Sequence, residues 1–336
     1  MRARNDLAGL LIGVILYAML VAVCAARAQT APPPIPSPFA PVAPMPRTEE
    51  AIDPLTVIDD DFARNRDPAA WAGLSARRIS FVEQQASWRV FRIANDRKSR
   101  GPLWVILHDN ENATFAAGLE ALRSYGGVAM VVDTGPVDTG YAARFNGAVW
   151  GGAPIDPNRN FFEWLPVYAG TMLADLAGPG GETRPIIALH TNAYGFDSSL
   201  SNCPAPADAG SGEISVALCD AKHLPRPARS RRWPFDDDDT LALLPYSRGG
   251  DAFAGFCAKR LIARDFNIVF EAVGATDGSL SNYATYHGLR YINLETRERG
   301  SDPVGIAEAR DRLVAMIDAV MAECVAIPAV ALKPRR

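Results

Sequence analysis

Short apolar runs bounded by polar or glycine-containing segments recur along the chain, and they are read here as strands at Arg78 to Val82, Trp88 to Ile93, Leu103 to Leu107, Gly127 to Val132, Pro185 to His190, Asn267 to Val273 and Tyr291 to Glu295. Asn112 to Tyr125 reads as a helix filled by Ala, Leu and Glu and ended by Gly126-Gly127. Asp302 to Ala322 reads as an amphipathic helix with Asp302 as its cap and Pro303 in its first turn. Strand, helix and strand between Leu103 and Val132 make a βαβ unit, which requires a parallel pair with helices packed on the sheet faces. The expected fold is therefore a three-layer α/β/α domain around a mixed, largely parallel central sheet. Two of the apolar runs stop on a histidine, His108 and His190, and such sheets place ligand groups just beyond the carboxyl ends of their strands.

The pattern changes at the amino end. Leu7 to Ala26 is a nearly unbroken apolar stretch of 20 residues behind Arg2 and Arg4, and Ala26-Arg27-Ala28 has the small-x-small form of a cleavage site. Residues 1–28 are expected to be an export signal, or an uncleaved membrane anchor, since the length also suits a bilayer core. Either reading sends the rest to the periplasm or the extracellular space, and a membrane contact is expected only if the segment stays attached. Residues 29–50 form a proline-rich linker, with eight prolines between Ala31 and Pro46, which disfavours both helix and sheet. A single domain is expected over residues 51–330. Within it, residues 192–250 turn polar and are expected to form a surface excursion. There the Asp236 to Asp239 run reads as solvated loop, with a calcium site as the sharper alternative.

Composition narrows the function. The chain has 336 residues, 48% of them hydrophobic and 21% charged, and a formal net charge of −4. Loss of Arg2, Arg4, Arg27 and Asp6 with the signal would take it to −6, which argues against a nucleic-acid partner. Cys203, Cys219, Cys257 and Cys324 would remain, an even set suited to an oxidising compartment. Of the three possible pairings, Cys203 with Cys219 and Cys257 with Cys324 is the expected one.

His108, Glu111 and His190 are the candidate metal ligands. Two histidines and one glutamate are a standard set for a catalytic zinc, leaving one coordination position open. One Zn2+ is the expected cofactor. No G-x-S-x-G elbow, phosphate-binding loop or H-E-x-x-H helix competes with this reading.

His108-x-x-Glu111, then Asp156-Pro157-Asn158-Arg159-Asn160-Phe161, then the strand-terminal His190, then Glu295-Thr296-Arg297 at the end of another strand, stand in an order that resembles the zinc metallocarboxypeptidase family, from about Pro102 to Gly300. The resemblance implies that Glu295 is the general base. It also implies that Asp156 fixes the tautomer of a ligand histidine, and that Asn158 and Arg159 hold the substrate's free carboxylate. Arg144 would steady the oxyanion. The family's tyrosine over the substrate falls near Val273 here, leaving Tyr283 as one candidate for that role. The implied function is an exported zinc amidohydrolase cutting an amide bond next to a free carboxylate, with cell-wall peptides one substrate class. Two alternatives stand beside it. One is a zinc-dependent N-acyl amino acid deacylase, as in the related succinylglutamate desuccinylase and aspartoacylase branch. The other is a peptide-binding module that has lost turnover.

Overall fold

The computed structural model describes residues 47–135, 140–177, 181–191, 202–203, 214–215, 222–247 and 252–325. The export signal, most of the linker and the expected Cys203–Cys219 pairing lie outside the described residues or depend on ones that do. No described helix is long and apolar enough to cross a membrane.

Strands β1 (Arg47–Ile52), β2 (Leu74–Glu83), β3 (Ala86–Asn95), β4 (Leu103–Ile106), β5 (Val128–Asp133) and β6 (Ile186–Thr191) come first in the chain. The short β7 (Asn202–Cys203) and β8 (Ile214–Ser215) pair only with each other. Strands β9 (His223–Arg226), β10 (Leu241–Ser247), β11 (Ile268–Val273) and β12 (Tyr291–Thr296) complete the set. Ten of these form one sheet in the order β1-β2-β3-β5-β4-β6-β12-β10-β11-β9. Its middle, β5-β4-β6-β12, is parallel throughout, and antiparallel strands flank it on both sides. The sheet is mixed, as expected.

The parallel strands are apolar on both faces because both faces are covered. Helices α2 (Asn112–Tyr125), α4 (Ala252–Ala263) and α6 (Pro303–Val320) pack with Trp104, Ile106, Ile187, Leu189, Ile292 and Leu294. On the other face α3 (Pro166–Met172) and α5 (Leu280–Tyr286) cover Leu103, Val105, Ile186, Ala188 and Tyr291. Each large aliphatic side chain buried this way contributes about 1.5–3 kcal/mol. Cys257 of α4 is disulfide-bonded to Cys324 just after α6, tying two helices of the same layer. The turn from α2 into β5 needs glycine: Gly127 has φ +95°, and a Cβ there would lie 2.0 Å from the Pro102 carbonyl oxygen.

Three expectations are corrected. Folded chain starts earlier than residue 51, because Arg47–Ile52 pairs antiparallel with β2. Its charged pattern hid it: Glu49 and Glu50 meet Arg77 and Arg78 across the edge pair. The segment 192–250 is not all surface excursion, since Leu241–Ser247 is an inner strand between β12 and β11. The acidic run is a loop that is only partly solvated. Asp236 and Asp237 pair with Arg312 and Arg299, and Asp239 is buried.

Between β1 and β2, the short helix α1 (Asp60–Arg64) buries Phe62 against Trp71, Phe91 and Phe115. This aromatic cluster fixes the amino-terminal arm beside the end of β5.

Candidate metal and catalytic site

Strand β4 ends at Ile106, and the chain turns at once through His108-Asp109-Asn110-Glu111, where the Glu111 amide donates to the His108 carbonyl at 3.2 Å. Helix α2 begins on the next residue, and Thr114 ties its start to the Glu111 carbonyl through both its amide (2.9 Å) and its hydroxyl (2.6 Å). A turn this tight puts His108 and Glu111 on the same side. Parallel pairing of β4 with β6 brings the end of β6, and so His190, alongside. All three side chains are buried, with 1–3% of each residue exposed.

Their donor atoms converge. His108 Nδ1 lies 2.7 Å from Glu111 Oε1 and 3.2 Å from His190 Nδ1, and His190 Nδ1 lies 3.1 Å from Glu111 Oε2. Ligands about 2.0–2.2 Å from a tetrahedral zinc sit roughly 3.3–3.6 Å apart, so this spacing needs only a small expansion to hold such an ion. The far nitrogen of His108, Nε2, donates to Asp156 Oδ1 at 2.9 Å, so a metal at this point would meet Nδ1 as the lone-pair side of the ring. The Nε2 of His190 is buried without a partner among the described residues. Two imidazole nitrogens and a carboxylate facing one point are the donor set of a borderline divalent cation, and the residues fit a metal.

The electrostatics agree with a centre built for positive charge. Burial alone would raise the Glu111 carboxyl, yet the two imidazoles beside it hold it well below the usual carboxylate range. For His108, burial works against the charged ring, and Glu111 together with Asp156 still raises it above the ordinary histidine value. Asp156 is likewise penalised by burial but brought down to about 2 by its bond to His108. The point these groups face thus favours positive charge.

The other expected residues surround this centre to different degrees. Arg144 donates through Nη1 to Glu111 Oε1 at 3.0 Å and has its Nε 3.6 Å from Asp156 Oδ2. Glu295 is the register partner of His190 in the β12–β6 pair, so both side chains stand on one face of the sheet, and Glu295 Oε1 accepts from Asn293 Nδ2 at 2.9 Å. Asn158 and Arg159 sit in a 3-10 turn capped by Asp156, whose Oδ1 also accepts the Asn158 amide. Asn158 Oδ1 accepts from the Leu280 amide at 3.0 Å, anchoring the start of α5, and the exposed Arg159 donates to the Asn158 carbonyl at 2.8 Å. Tyr283 is 4% exposed and packed against Phe161 and His287 in the core under α5, so it is not free to close over a substrate.

Sequence reasoning missed Thr191 and Glu298. The Thr191 amide donates to Glu111 Oε2 at 3.0 Å, and its hydroxyl donates to Glu298 Oε2 at 3.0 Å, so the residue after His190 fixes the Glu111 carboxylate. Burial raises the Glu298 carboxyl, with Glu111 adding to the rise. Its place two residues beyond the strand end gave no signal to find it.

No protein-family model matches the chain, and no curated protein matches it. Among solved structures the chain is similar to a candidate metallopeptidase of Shewanella amazonensis SB2B, 14% identical over 80% of this chain and 94% of that one, with a TM-score of 0.39. It is also similar to the tripeptide-bound cell shape determinant protein Csd4 of Helicobacter pylori, 16% identical over 72% of this chain and 56% of that one, with a TM-score of 0.36. A third is the product-bound ectoine utilization protein EutE of Ruegeria pomeroyi, 13% identical over 86% of this chain and 71% of that one, TM-score 0.36.

Proposed function

We propose that this protein is an exported zinc-dependent amidohydrolase of the metallocarboxypeptidase type, cutting an amide bond beside a free carboxylate in a peptide. The observation that carries the reading is the meeting of His108 Nδ1, His190 Nδ1 and the Glu111 carboxylate at one buried point, backed by Asp156 on the far side of the His108 ring.

His108, Glu111 and His190 would hold the ion. Zinc held there by two neutral imidazoles and one carboxylate would keep one net positive charge, and would supply polarisation of an amide carbonyl and a lowered pKa for water, from about 15.7 to about 7. Each neighbouring residue then has a physical task. Asp156 keeps the His108 proton on Nε2, so Nδ1 stays available. Glu295 takes a proton from the attacking water and passes it to the departing amine nitrogen, and Asn293 orients its carboxylate. The Arg144 guanidinium, next to Glu111, supplies hydrogen bonds to the carbonyl oxygen as negative charge grows there. Arg159 can grip both oxygens of a substrate carboxylate, and Asn158, its oxygen committed to Leu280, offers its amide donor to the same group.

The test is hydrolysis by the zinc-loaded full chain of two panels side by side: peptides with a free carboxyl terminus, including cell-wall stem peptides, and N-acyl amino acids. Release of a terminal amino acid from the peptides, lost when that carboxylate is amidated, is the expected result. Turnover of acyl amino acids alone would replace this reading with a deacylase, and turnover of neither would leave a binding protein.

A further inference from the structure

A second cluster lies on the other side of the turn that carries His108. Asp59, Asp109 and Asp133 each offer a carboxylate oxygen, and these oxygens lie within 4.8 Å of one another. The three residues come from separate parts of the chain: the amino-terminal arm, the β4–α2 turn and the last position of β5. All three are buried, 4–8% exposed.

Each carboxylate keeps one oxygen on a protein donor. Asp59 Oδ1 accepts the Phe62 amide at 3.1 Å, Asp109 Oδ2 accepts the Thr134 amide at 3.0 Å and its hydroxyl at 2.8 Å, and Asp133 Oδ1 accepts Arg89 Nη2 at 2.9 Å. The second oxygen of Asp59 is buried with no hydrogen-bond partner. Asp59 is 95% buried, its relative exposure being 5%, and the Phe62–Trp71–Phe91–Phe115 packing just beyond it keeps it from swinging out.

Charge does not balance there. Arg89 meets Asp133, with Arg78 also acting on it, and Arg64 meets the neighbouring Asp61. Among the described residues no basic side chain comes within ion-pair distance of Asp59 or Asp109. A buried carboxylate left unpaired is costly, and several sharing one site are more so. Burial, with Asp133 and Asp60 close by, pushes the Asp59 carboxyl up to about 6, opposed by its bond to Phe62.

We infer that Asp59, Asp109 and Asp133 form a second metal site, specific for a hard divalent cation and separate from the histidine centre. The donor set is all oxygen, without the imidazole or thiolate that zinc and its neighbours favour. Calcium is favoured over magnesium because its shell of about six to eight oxygens adapts to carboxylates brought together from three separate segments, whereas magnesium demands a regular octahedron and keeps most of its waters. Such an ion staples the amino-terminal arm and the end of β5 to the turn holding His108 and Glu111. Its role is to fix that turn, and the inference does not depend on what the histidine centre catalyses.

The experiment uses the full chain, zinc-loaded and dialysed free of other metals, titrated with Ca2+ and in a parallel arm with Mg2+, by calorimetry and thermal melting. One Ca2+ per chain is expected, bound more tightly than Mg2+, with a rise in Tm of about 5 °C at a hundredfold excess over Kd. Asp59→Asn and Asp59→Ser both keep the cap on the Phe62 amide, and both are expected to weaken Ca2+ binding at least tenfold, while His190→Ala binds Ca2+ as the parent does. A folded parent chain that takes up no Ca2+ at millimolar concentration would overturn the site. So would Asp59 variants that bind it unchanged, or a His190→Ala chain that has lost it. An Asp59→Asn chain that melts higher than the parent while neither responds to Ca2+ would show that the carboxyls share protons instead, and would equally overturn it.

Discussion

One turn of four residues separates two buried clusters of opposite character. On the His108 and Glu111 side, two imidazoles meet a single carboxylate, and Asp156, Arg144 and Thr191 occupy hydrogen-bonding positions around it. On the Asp109 side three carboxylates meet one another, and a buried oxygen of Asp59 is left without a partner. In the first cluster the imidazole of His108 and the Glu111 carboxylate favour each other's charged forms; the second has more negative charge than its guanidinium neighbours offset. The same local geometry thus builds two different wells, and the donor atoms decide which class of cation each one would suit.

The largest effect that separates chemistry from metal binding is expected at Glu295. Glu295→Gln should lower kcat by about 10²–10⁴-fold, the usual worth of a positioned base, while zinc and calcium contents by elemental analysis stay at the parent level. Loss of zinc along with activity would show that Glu295 belongs to the metal well itself. Arg144→Ala should cost about 10²–10³ in kcat, with zinc retained, if its guanidinium meets the developing oxyanion. A change confined to zinc affinity would assign Arg144 to Glu111 alone. Asp156→Asn should weaken zinc about 10–100-fold, measured by competition with a chelator, because the amide no longer holds the His108 proton on Nε2 as firmly.

The smallest effect comes from a third acidic group that belongs to neither well. Asp239 is 2% exposed, and burial with Asp238 and Asp237 nearby raises its carboxyl to about 7, against the pull of Arg297. A carboxyl raised in the folded state loses its proton earlier in the unfolded chain, so stability falls as pH rises from about 4 through 7. Asp239→Asn should therefore melt a few degrees above the parent at pH 8 and level with it near pH 4. A uniform shift at all pH values would remove ionisation as the cause.

Much of the first well was legible in the chain. Leu103 to Leu107 and Ile186 to Leu189 are apolar throughout because both faces of those strands are covered, and a histidine closing such a run stands out against that background. Helix α2 was bounded in the sequence by its composition and by the glycines after it, and the structure gives the same bounds, Asn112–Tyr125. The edge strand Arg47–Ile52 was missed because its face is charged and its partner supplies the countercharges. Strand β10 was missed because it follows an acidic run and contains Pro245, and α5 because Ser281, Asn282 and Thr285 weaken its helical pattern. The second well left no trace in the sequence. Asp59 and Asp133 belong to no motif: the β4–β5 pairing brings Asp133 to Asp109, and the docking of the amino-terminal arm through Phe62 adds Asp59.

The most direct test of the account is the zinc content of the full chain after incubation with zinc and exhaustive dialysis, compared with His190→Ala under the same treatment, with circular dichroism to verify that both are folded. One zinc per parent chain and essentially none in His190→Ala is the expected result. A folded parent chain without zinc, or a His190→Ala chain holding as much as the parent, would contradict it.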